Sequence, residues 1–392
     1  MISSRNERQL KVAILGTRGI PARYGGFETF AEELALRLVN LGVETTVYCE
    51  SGSGDKLASF HGAQLEYVAA TRLGPLTTIL FDLRCLWRAR KGFDVVYMLG
   101  YGAGLFLCIP RLGNGRVWVN MDGIEWMRSK WSMPARVWFR VMEALSVRTA
   151  HRVIADAEGI RRHLISRHGA NLFCSVIPYG AEVVRRAPDT SLLSRWDLVS
   201  GGYYLVVCRL EPENHVKEII QGYLKSEGRR PLVIVGDSAC GTAYANGLLQ
   251  EASDRIRFIG TVYDKKSLQA LRYHAMAYFH GHCVGGTNPS LLEAMGCGNI
   301  IVAHDNQFNQ EVAGKGAFYF RTSDDIPGLI HHLETLSFEE RNHLAEQTRQ
   351  RIQARYDWDD IAQQYIQIIK EDFALSEQGA DNRPTVCNAT RT

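Results

Sequence analysis

Two hydrophobic rhythms alternate along most of the chain. Short apolar runs of strand type occur at Lys11–Leu15, Val43–Cys49, Leu65–Val68, Val95–Leu99, Val117–Met121, Val153–Ala155 and Cys174–Ile177. Helical segments separate most of them. The clearest is Phe27–Leu41, with Phe30, Leu34, Leu38 and Leu41 at helical spacing and Gly42 as a stop. Strands alternating with helices predict an α/β, doubly wound parallel sheet. The pattern restarts after Pro178-Tyr179-Gly180, with strands expected at Tyr204–Cys208, Leu232–Val235, Ile256–Ile259, Ala277–Phe279 and Ile300–Ala303. This predicts two domains of one architecture, 9–180 and 181–357, with the linker inside 178–202. Phe338–Tyr356 and Asp359–Phe373 read as closing helices, and the polar segment 375–392 as a disordered tail.

Two glycine-rich loops each follow a strand and open a helix. The first, 16–26, contains Gly16, Gly19, Gly25 and Gly26. The second is Gly281-His282-Cys283-Val284-Gly285-Gly286-Thr287-Asn288, followed by Pro289. Proline suits the first turn of a helix, with Asn288 or Thr287 as its cap. Unpaired N–H groups at the positive end of a helix dipole suit a phosphate. Glu293, a turn later, is the kind of carboxylate that binds ribose hydroxyls. A turn that needs glycine and a capped helix explains the same residues equally well. In doubly wound domains ligands bind at the C-terminal strand ends, so both loops are expected to face one interdomain cleft.

Length and composition fit this picture. A chain of 392 residues is expected to form two domains, and 46% apolar with 22% charged residues is ordinary for a soluble protein. A net charge of +3 does not argue for nucleic acid, and none is expected as a partner. The nine cysteines contain no CxxC pair and read as reduced side chains of a cytoplasmic protein. Residues 1–8 are polar and do not read as a signal peptide. The longest uncharged run, beginning at Val95, is too short and too glycine-rich to span a membrane. His280 and His282 alternate at a strand end, but a third metal ligand is not evident, so no metal is expected. His282 is the cleft candidate and His280 a packed strand residue.

Four segments together resemble a known family: Gly16-Thr17-Arg18-Gly19-Ile20-Pro21, Tyr24-Gly25-Gly26-Phe27-Glu28-Thr29, Asn120-Met121-Asp122-Gly123-Ile124-Glu125-Trp126 and Gly285–Met295. They are similar to a subgroup of the family 4 retaining glycosyltransferases that includes capsule and polysaccharide rhamnosyltransferases. The resemblance covers residues 9–374. It implies a GT-B fold, two Rossmann-like domains with a cleft between them, and a final helix, 358–374, crossing back to the first domain. It implies a nucleotide-sugar donor held mainly by the second domain, a glycan or lipid-linked saccharide acceptor held mainly by the first, and no cofactor.

Position by position, the resemblance implies that Arg209 meets the donor diphosphate, as a guanidinium does well. Glu293 matches the ribose-binding second glutamate of an E-x7-E motif, whose first glutamate is here Gly285. The family lysine after the arginine is here Asn214, with Lys217 as a nearby substitute. Gly236, Asp237, Thr261 and Val262 match donor-side stretches, as do Gly25 and Gly26. With His282, Gly285, Gly286, Thr287 and Asn288 they complete the expected donor site. Asp122 stands beside the place of a catalytic-site histidine and joins Arg18, Tyr24, Glu125 and Arg128 on the acceptor side; alternatively Asp122 caps the segment after its strand. Asp122, Arg209 and Glu293 are thus the expected catalytic residues. The family route is front-face transfer with retention, the leaving phosphate taking the acceptor proton, with no protein nucleophile.

Residues 126–152 carry Arg128, Lys130, Arg136, Arg140, Arg148 and Arg152 with interleaved Trp126, Trp131, Trp138 and Phe139. This reads as a peripheral patch for an anionic membrane, on the inner face of the cell membrane, or as an ordinary helix with a solvated basic face. The favoured donor by resemblance is dTDP-rhamnose. The rivals are a UDP-sugar such as UDP-glucose, a dinucleotide oxidoreductase, and a non-catalytic nucleotide- or glycan-binding regulator, which Gly285 and Asn214 would favour. Glu50 suits an oxidoreductase, but Gly16-Thr17-Arg18-Gly19 is not GxGxxG.

Overall fold

The computed structural model describes residues 9–377 apart from 23–24, 53–55, 75, 129–130 and 238–241, with 374–377 described as backbone alone. The first sheet has eight strands: β1 Lys11–Leu15, β2 Glu44–Glu50, β3 Ser59–Phe60, β4 Ala63–Val68, β5 Val95–Leu99, β6 Arg116–Met121, β7 Arg152–Ala155 and β8 Cys174–Val176. They lie in the order β3-β4-β2-β1-β5-β6-β7-β8, parallel except for the β3–β4 pair. The second sheet is wholly parallel, in the order β11-β10-β9-β12-β13-β14. Its strands are β9 Tyr204–Val207, β10 Leu232–Val235, β11 Ile256–Gly260, β12 Ala277–His280, β13 Ile301–His304 and β14 Phe318–Phe320.

Helices cover both faces of such sheets, so the central strands are continuously apolar. All of Val95–Leu99 and all of Leu232–Val235 are buried. Strand order reverses at β1 in the first sheet and at β9 in the second, which creates a crevice beyond each reversal. The 16–26 loop leaves β1. Arg209 follows β9, and the 281–288 loop follows β12 beside it. The topology therefore brings both glycine loops and Arg209 to one place.

The first helix, Gly26–Asn40, buries Phe30, Ala31, Leu34, Ala35 and Leu38 on the sheet. The last, Trp358–Glu377, returns to the first domain. Tyr365 Oη lies 2.8 Å from Tyr97 Oη, which accepts from Asn120 Nδ2 at 3.0 Å. Trp118 Nε1 donates to Asp372 Oδ2 at 2.7 Å, and Arg152 Nε and Nη2 donate to Asp372 Oδ1 at 3.1 and 2.6 Å. The chain crosses between domains twice, and the crossings touch. Ala181 N–H donates to Tyr356 O at 2.9 Å, and a Cβ on Gly180 would strike the Trp358 ring.

Three points differ from expectation. The two-residue strand β3 and three-residue strand β14 are too short for a periodic signal. The last helix runs through Glu377, into the stretch expected as tail; residues 378–392 lie outside the described ones. Arg152, expected on a solvated basic face, is a buried strand residue paired with Asp372 and Glu371. Among the described residues no helix is long and apolar enough to cross a membrane.

Removing one partner of a buried pair strands the other charge, which costs about 3–5 kcal/mol. Asp372→Ala is therefore expected to lower the urea midpoint sharply. Glu371→Ala, at a carboxylate 45% exposed, should cost only about 0.5 kcal/mol. Equal effects would show that Arg152 does not depend on Asp372.

Candidate active site

The 281–288 loop and its helix form as their residues dictate. Pro289 starts helix Pro289–Gly296, and Asn288 Oδ1 accepts from the Ser290 N–H at 3.0 Å. The remaining donors of this loop are committed differently from expectation. Gly286 N–H donates to Asp122 O at 3.3 Å, and Thr287 N–H donates to Asp156 Oδ2 at 2.8 Å. The Thr287 hydroxyl donates to Asp156 O. Asp122 and Asp156 belong to the first domain, so N–H groups expected to await a phosphate instead hold the domains together. A Cβ on Gly286 would overlap the Asp156 carboxylate. That close approach is what requires glycine here.

Asp156 follows β7 and is fully buried. Burial pushes its carboxyl well above the usual range, and neighbouring Asp122 adds to this, while the Thr287 N–H opposes it. Sequence reading missed Asp156 because nothing local distinguishes it from a strand-end aspartate. Further contacts close the cleft around this clamp. A Cβ on Gly123 would sit 3.3 Å from Gly285 Cα, and one on Gly26 would sit 3.5 Å from Pro289 Cγ. Lys265 Nζ reaches Glu32 Oε1 across the domains at 2.6 Å. The two glycine loops thus meet face to face, and the helix starting at Gly26 points its N-terminus at the helix starting at Pro289.

The Gly26 end has no side-chain cap. The Glu28 carboxylate lies over it, 3.4 Å from the Arg18 N–H, and burial raises its pKa. Gly25 has φ 115°, and a Cβ there would collide with Glu28. Arg18 is exposed, and Tyr24 lies outside the described residues.

On the other wall, Arg209 is partly exposed, its Nη1 3.3 Å from Glu211 Oε1. Asn214, standing where the resemblance calls for lysine, has a bridging job. Its Nδ2 donates to Arg209 O at 2.8 Å, and its Oδ1 accepts from His282 Nδ1 at 2.8 Å. Burial and then Arg128 hold His282 well below the ordinary histidine range, so it is neutral at pH 7. With Nδ1 donating, Nε2 is left as an acceptor. Asn306 and Asn309 fix the loop by donating to His282 O at 3.1 and 2.9 Å. His280 is a packed strand residue, pushed down to about 3 by burial and by His304.

Glu293, expected on a ribose, is ion-paired with buried Arg272, which also donates to Ser290 Oγ at 3.2 Å. Arg272 is a second residue that sequence reading missed; it sits unremarkably in helix Lys265–Tyr273. Arg128 is buried, with Nε 2.9 Å from Glu125 Oε1. Burial opposes its charge, but Glu125, Asp122, Glu213 and Glu211 outweigh that and raise its pKa. Two of these acids come from each domain, so Arg128 spans the cleft rather than serving the first domain alone. Trp131 Nε1 fixes Glu125 Oε2 at 3.0 Å.

The remaining expected donor residues ring the same crevice less closely. Gly236 has φ 137°, and a Cβ there would strike Cys208 O. Asp237 is exposed, and its carbonyl accepts from Leu210 N–H at 3.2 Å. Thr261 and Val262 follow β11 and are half-buried, Val262 against the core. Lys217 is exposed on the first turn of helix Val216–Lys225. Among the described residues no group of three or more His, Cys, Asp or Glu could hold a metal ion.

The basic aromatic stretch is rearranged. Arg128 and Arg152 are buried, and Lys130 lies outside the described residues. Within helix Met133–Thr149, Glu143 turns inward to Trp126 Nε1, Arg167 and His168. The opposite face exposes Met133, Val137 and Val141 (69%, 58% and 48%), one stripe at four-residue spacing. Exposed Arg140 and Arg148 border it, Arg140 lying over the Trp126 ring. The surface is an apolar stripe edged by cations, not a continuous basic face.

Residues 9–182 match a family described as a domain of unknown function, and residues 215–367 match one described as glycosyl transferase-like. A comparison with curated proteins gives no match. Similar solved structures include sucrose-phosphate synthase from Thermosynechococcus elongatus, 17% identical with TM-score 0.78, covering 93% of this chain and 100% of that one. HepE from Anabaena, in complex with UDP-glucose, is 17% identical with TM-score 0.73 over 93% and 100%. An α,α-trehalose-phosphate synthase (UDP-forming) from Burkholderia vietnamiensis is 11% identical with TM-score 0.68 over 93% and 100%. The likeness establishes a GT-B fold of two Rossmann-like domains.

Asp156 gives the clamp a pH signature. Its folded pKa is raised, so its favourable contribution is full below the unfolded value near 3.9 and is lost as pH rises toward the folded value. The loss is at most about 1.4 kcal/mol per pH unit. Asp156→Asn removes this term, so the stability of the variant relative to wild type should climb as pH rises above about 4. Parallel stability profiles from urea melts would contradict the placement of a buried acid.

Proposed function

We propose that this chain is a glycosyltransferase that takes its sugar from a nucleotide-sugar donor bound between the two domains. One observation carries the reading: two helix N-termini meet across the cleft at Gly26 and Pro289, with Arg209 beside them. Such termini favour negative charge, and an arginine adds bidentate recognition of a diphosphate. The glycosyl transferase-like match of the second domain supports the same reading.

In this scheme the domains part to admit the donor and close again over it, excluding water. Arg209 and the N-terminus at Gly26, which has no side-chain cap, stabilise the leaving diphosphate, and the Pro289 helix contributes its dipole rather than its committed N–H groups. Glu293 exchanges its bond with Arg272 for the ribose hydroxyls. Neutral His282 offers Nε2 to a donor-sugar hydroxyl, while Asp122, Glu125 and Arg128 orient the acceptor. Attack on the same face as departure, with the leaving phosphate accepting the proton, gives retention and requires neither a protein nucleophile nor a metal.

The favoured finer reading is L-rhamnose from dTDP-rhamnose, passed to a lipid-linked saccharide in capsule or polysaccharide synthesis. Its support is the subgroup resemblance of the four loop segments. A UDP-sugar is the alternative, and HepE in its UDP-glucose complex favours that reading. The stripe Met133, Val137 and Val141 with its bordering arginines supports peripheral contact with an anionic membrane where a lipid-linked acceptor resides.

A thermal-shift panel of UDP, dTDP and their sugars tests the reading, because a ligand that binds only the native state raises the melting temperature. One of these nucleotides should stabilise the protein. Arg209→Ala should weaken its binding about tenfold to a hundredfold, the loss of one or two charge-assisted hydrogen bonds. Silence across the panel would overturn the donor assignment. On the membrane, Val137→Asp with Val141→Asp should abolish sedimentation with anionic vesicles and spare nucleotide binding; unchanged sedimentation would exclude the stripe.

A further inference from the structure

Helix Glu158–His168 of the first domain begins without the means to cap itself. Its N-cap position is Ala157, which has no side-chain oxygen, where Ser, Thr, Asp or Asn is preferred. A helix start leaves its first N–H groups without intrahelical partners. The Ile160 N–H turns back to Ala157 O at 3.1 Å. The two donors before it are taken up by the second domain. Glu158 N–H donates to Glu311 Oε1 at 2.7 Å, and Gly159 N–H donates to Glu311 Oε2 at 3.0 Å. One carboxylate thus spends both oxygens on the positive end of a helix dipole in the other domain.

Glu311 belongs to helix Gln307–Ala313, and the contact extends along that helix. Phe308, one turn earlier, is buried in the same apolar cluster as Ala157, Ile160 and Leu164 of the first domain. A Cβ on Gly159 would sit 2.9 Å from the Phe308 ring and 3.6 Å from Glu311 Oε2, so the glycine makes room for both. The Glu311 main chain is itself anchored within the second domain. Its carbonyl accepts from Arg351 Nη2 at 2.7 Å and from Tyr356 Oη at 3.4 Å. The side chain therefore reaches across the interface from a fixed base.

The start of the same short helix belongs to the cleft. Asn306 caps it, Oδ1 accepting from the Phe308 and Asn309 N–H groups at 3.1 and 3.0 Å. The amides of Asn306 and Asn309 are the ones that donate to His282 O. One rigid element thus holds the His282 main chain through two asparagines and the first domain through Phe308 and Glu311. The other end of the His282 loop is held by the first domain directly, since Thr287 bonds Asp156. Asp156 stands two residues before Glu158. The stretch 156–159 therefore grips two separate elements of the second domain, and His282 to Thr287 lies between them. The exchange is reciprocal: a carboxyl of the first domain enters a loop of the second, and a carboxylate of the second caps a helix of the first.

We propose that Glu311 is a positioning residue that couples closure of the two domains to the placement of the His282 loop. The inference rests on the cleft function proposed above, in which His282 faces the donor sugar. When the domains part, the Glu158 and Gly159 N–H groups pass from Glu311 to water, and the Asp156–Thr287 contact is released in the same movement. When they close, both contacts re-form together. The loop is then braced from both ends only while the first domain, with the acceptor-side residues Asp122, Glu125 and Arg128, is seated against it. Glu311 touches no reacting atom in this scheme; it acts through its helix.

The test is amide hydrogen exchange of the full-length protein without ligand, read by mass spectrometry on peptides covering 157–160 and 281–288. Because no nucleotide is added, the outcome is independent of the donor assignment. Glu311→Ala should accelerate exchange in both peptides by at least about tenfold, the loss of two charge-assisted hydrogen bonds. Glu311→Gln keeps one acceptor oxygen, so it should accelerate both by a smaller factor, and it serves if the alanine variant does not fold. Coupling is reciprocal. Thr287→Val, which removes the hydroxyl bond to Asp156 O, should therefore accelerate exchange in 157–160 as well. Acceleration of 157–160 alone in the Glu311 variants would make Glu311 a helix cap and nothing more, and would overturn the coupling. Unchanged exchange of 157–160 in the Thr287 variant would overturn it too, and unchanged exchange of both peptides in the Glu311 variants would overturn the contact itself.

Discussion

A carboxyl group of one domain buried in a loop of the other is the constraint on which the cleft depends. Asp156 meets Thr287 through both backbone and hydroxyl, in a place from which water is excluded. The neighbouring loop residues are arranged around that contact, while Glu311, accepting from the Glu158 and Gly159 N–H groups, and Lys265 on Glu32 tie the domains elsewhere. Gly286 must lack a side chain to admit it, Gly123 and Gly285 must be small to lie beside it, and Asp122 O takes the next N–H in line. Thr287 satisfies Asp156 Oδ2 and the Asp156 carbonyl, and each such group left unpaired by a displacement of the loop would cost about 1–3 kcal/mol.

The same economy explains Asn214. A lysine there would add charge beside Arg209 but could not accept from His282. Asn214 instead donates to Arg209 O and accepts from His282 Nδ1, linking the loops after β9 and β12. Its consequence is a neutral imidazole with a defined tautomer in the cleft. Positive charge is supplied from across the interface by Arg128, which four carboxylates keep fully protonated.

Much of the architecture was legible in the sequence. The central strands were found almost to the residue, because strands covered on both faces are unbroken apolar runs. The loop 281–288 was found because glycine, asparagine and proline each have a conformational meaning at a helix start. What escaped was long-range. Asp156 and Arg272 look like any polar residue at the end of a strand or helix, and only the fold brings them to Thr287 and Glu293. The basic stretch 126–152 misled for a related reason: composition does not say which arginines turn inward. Arg152 went to the core and Val137 to the surface, opposite to their solvation preferences, because β7 must bind the last helix and the Met133–Thr149 helix turns Glu143 inward to Trp126, Arg167 and His168.

The two chain crossings determine how such a cleft can move. They lie side by side, tied by Ala181 N–H to Tyr356 O and by Trp358 packed on Gly180. Two bodies joined by a pair of adjacent straps cannot slide past one another or drift apart. They can only swing about the line through the straps. A swing about them parts the glycine loops and breaks the Asp156–Thr287 contact. The geometry makes the molecule a lever, with the buried aspartate as its catch.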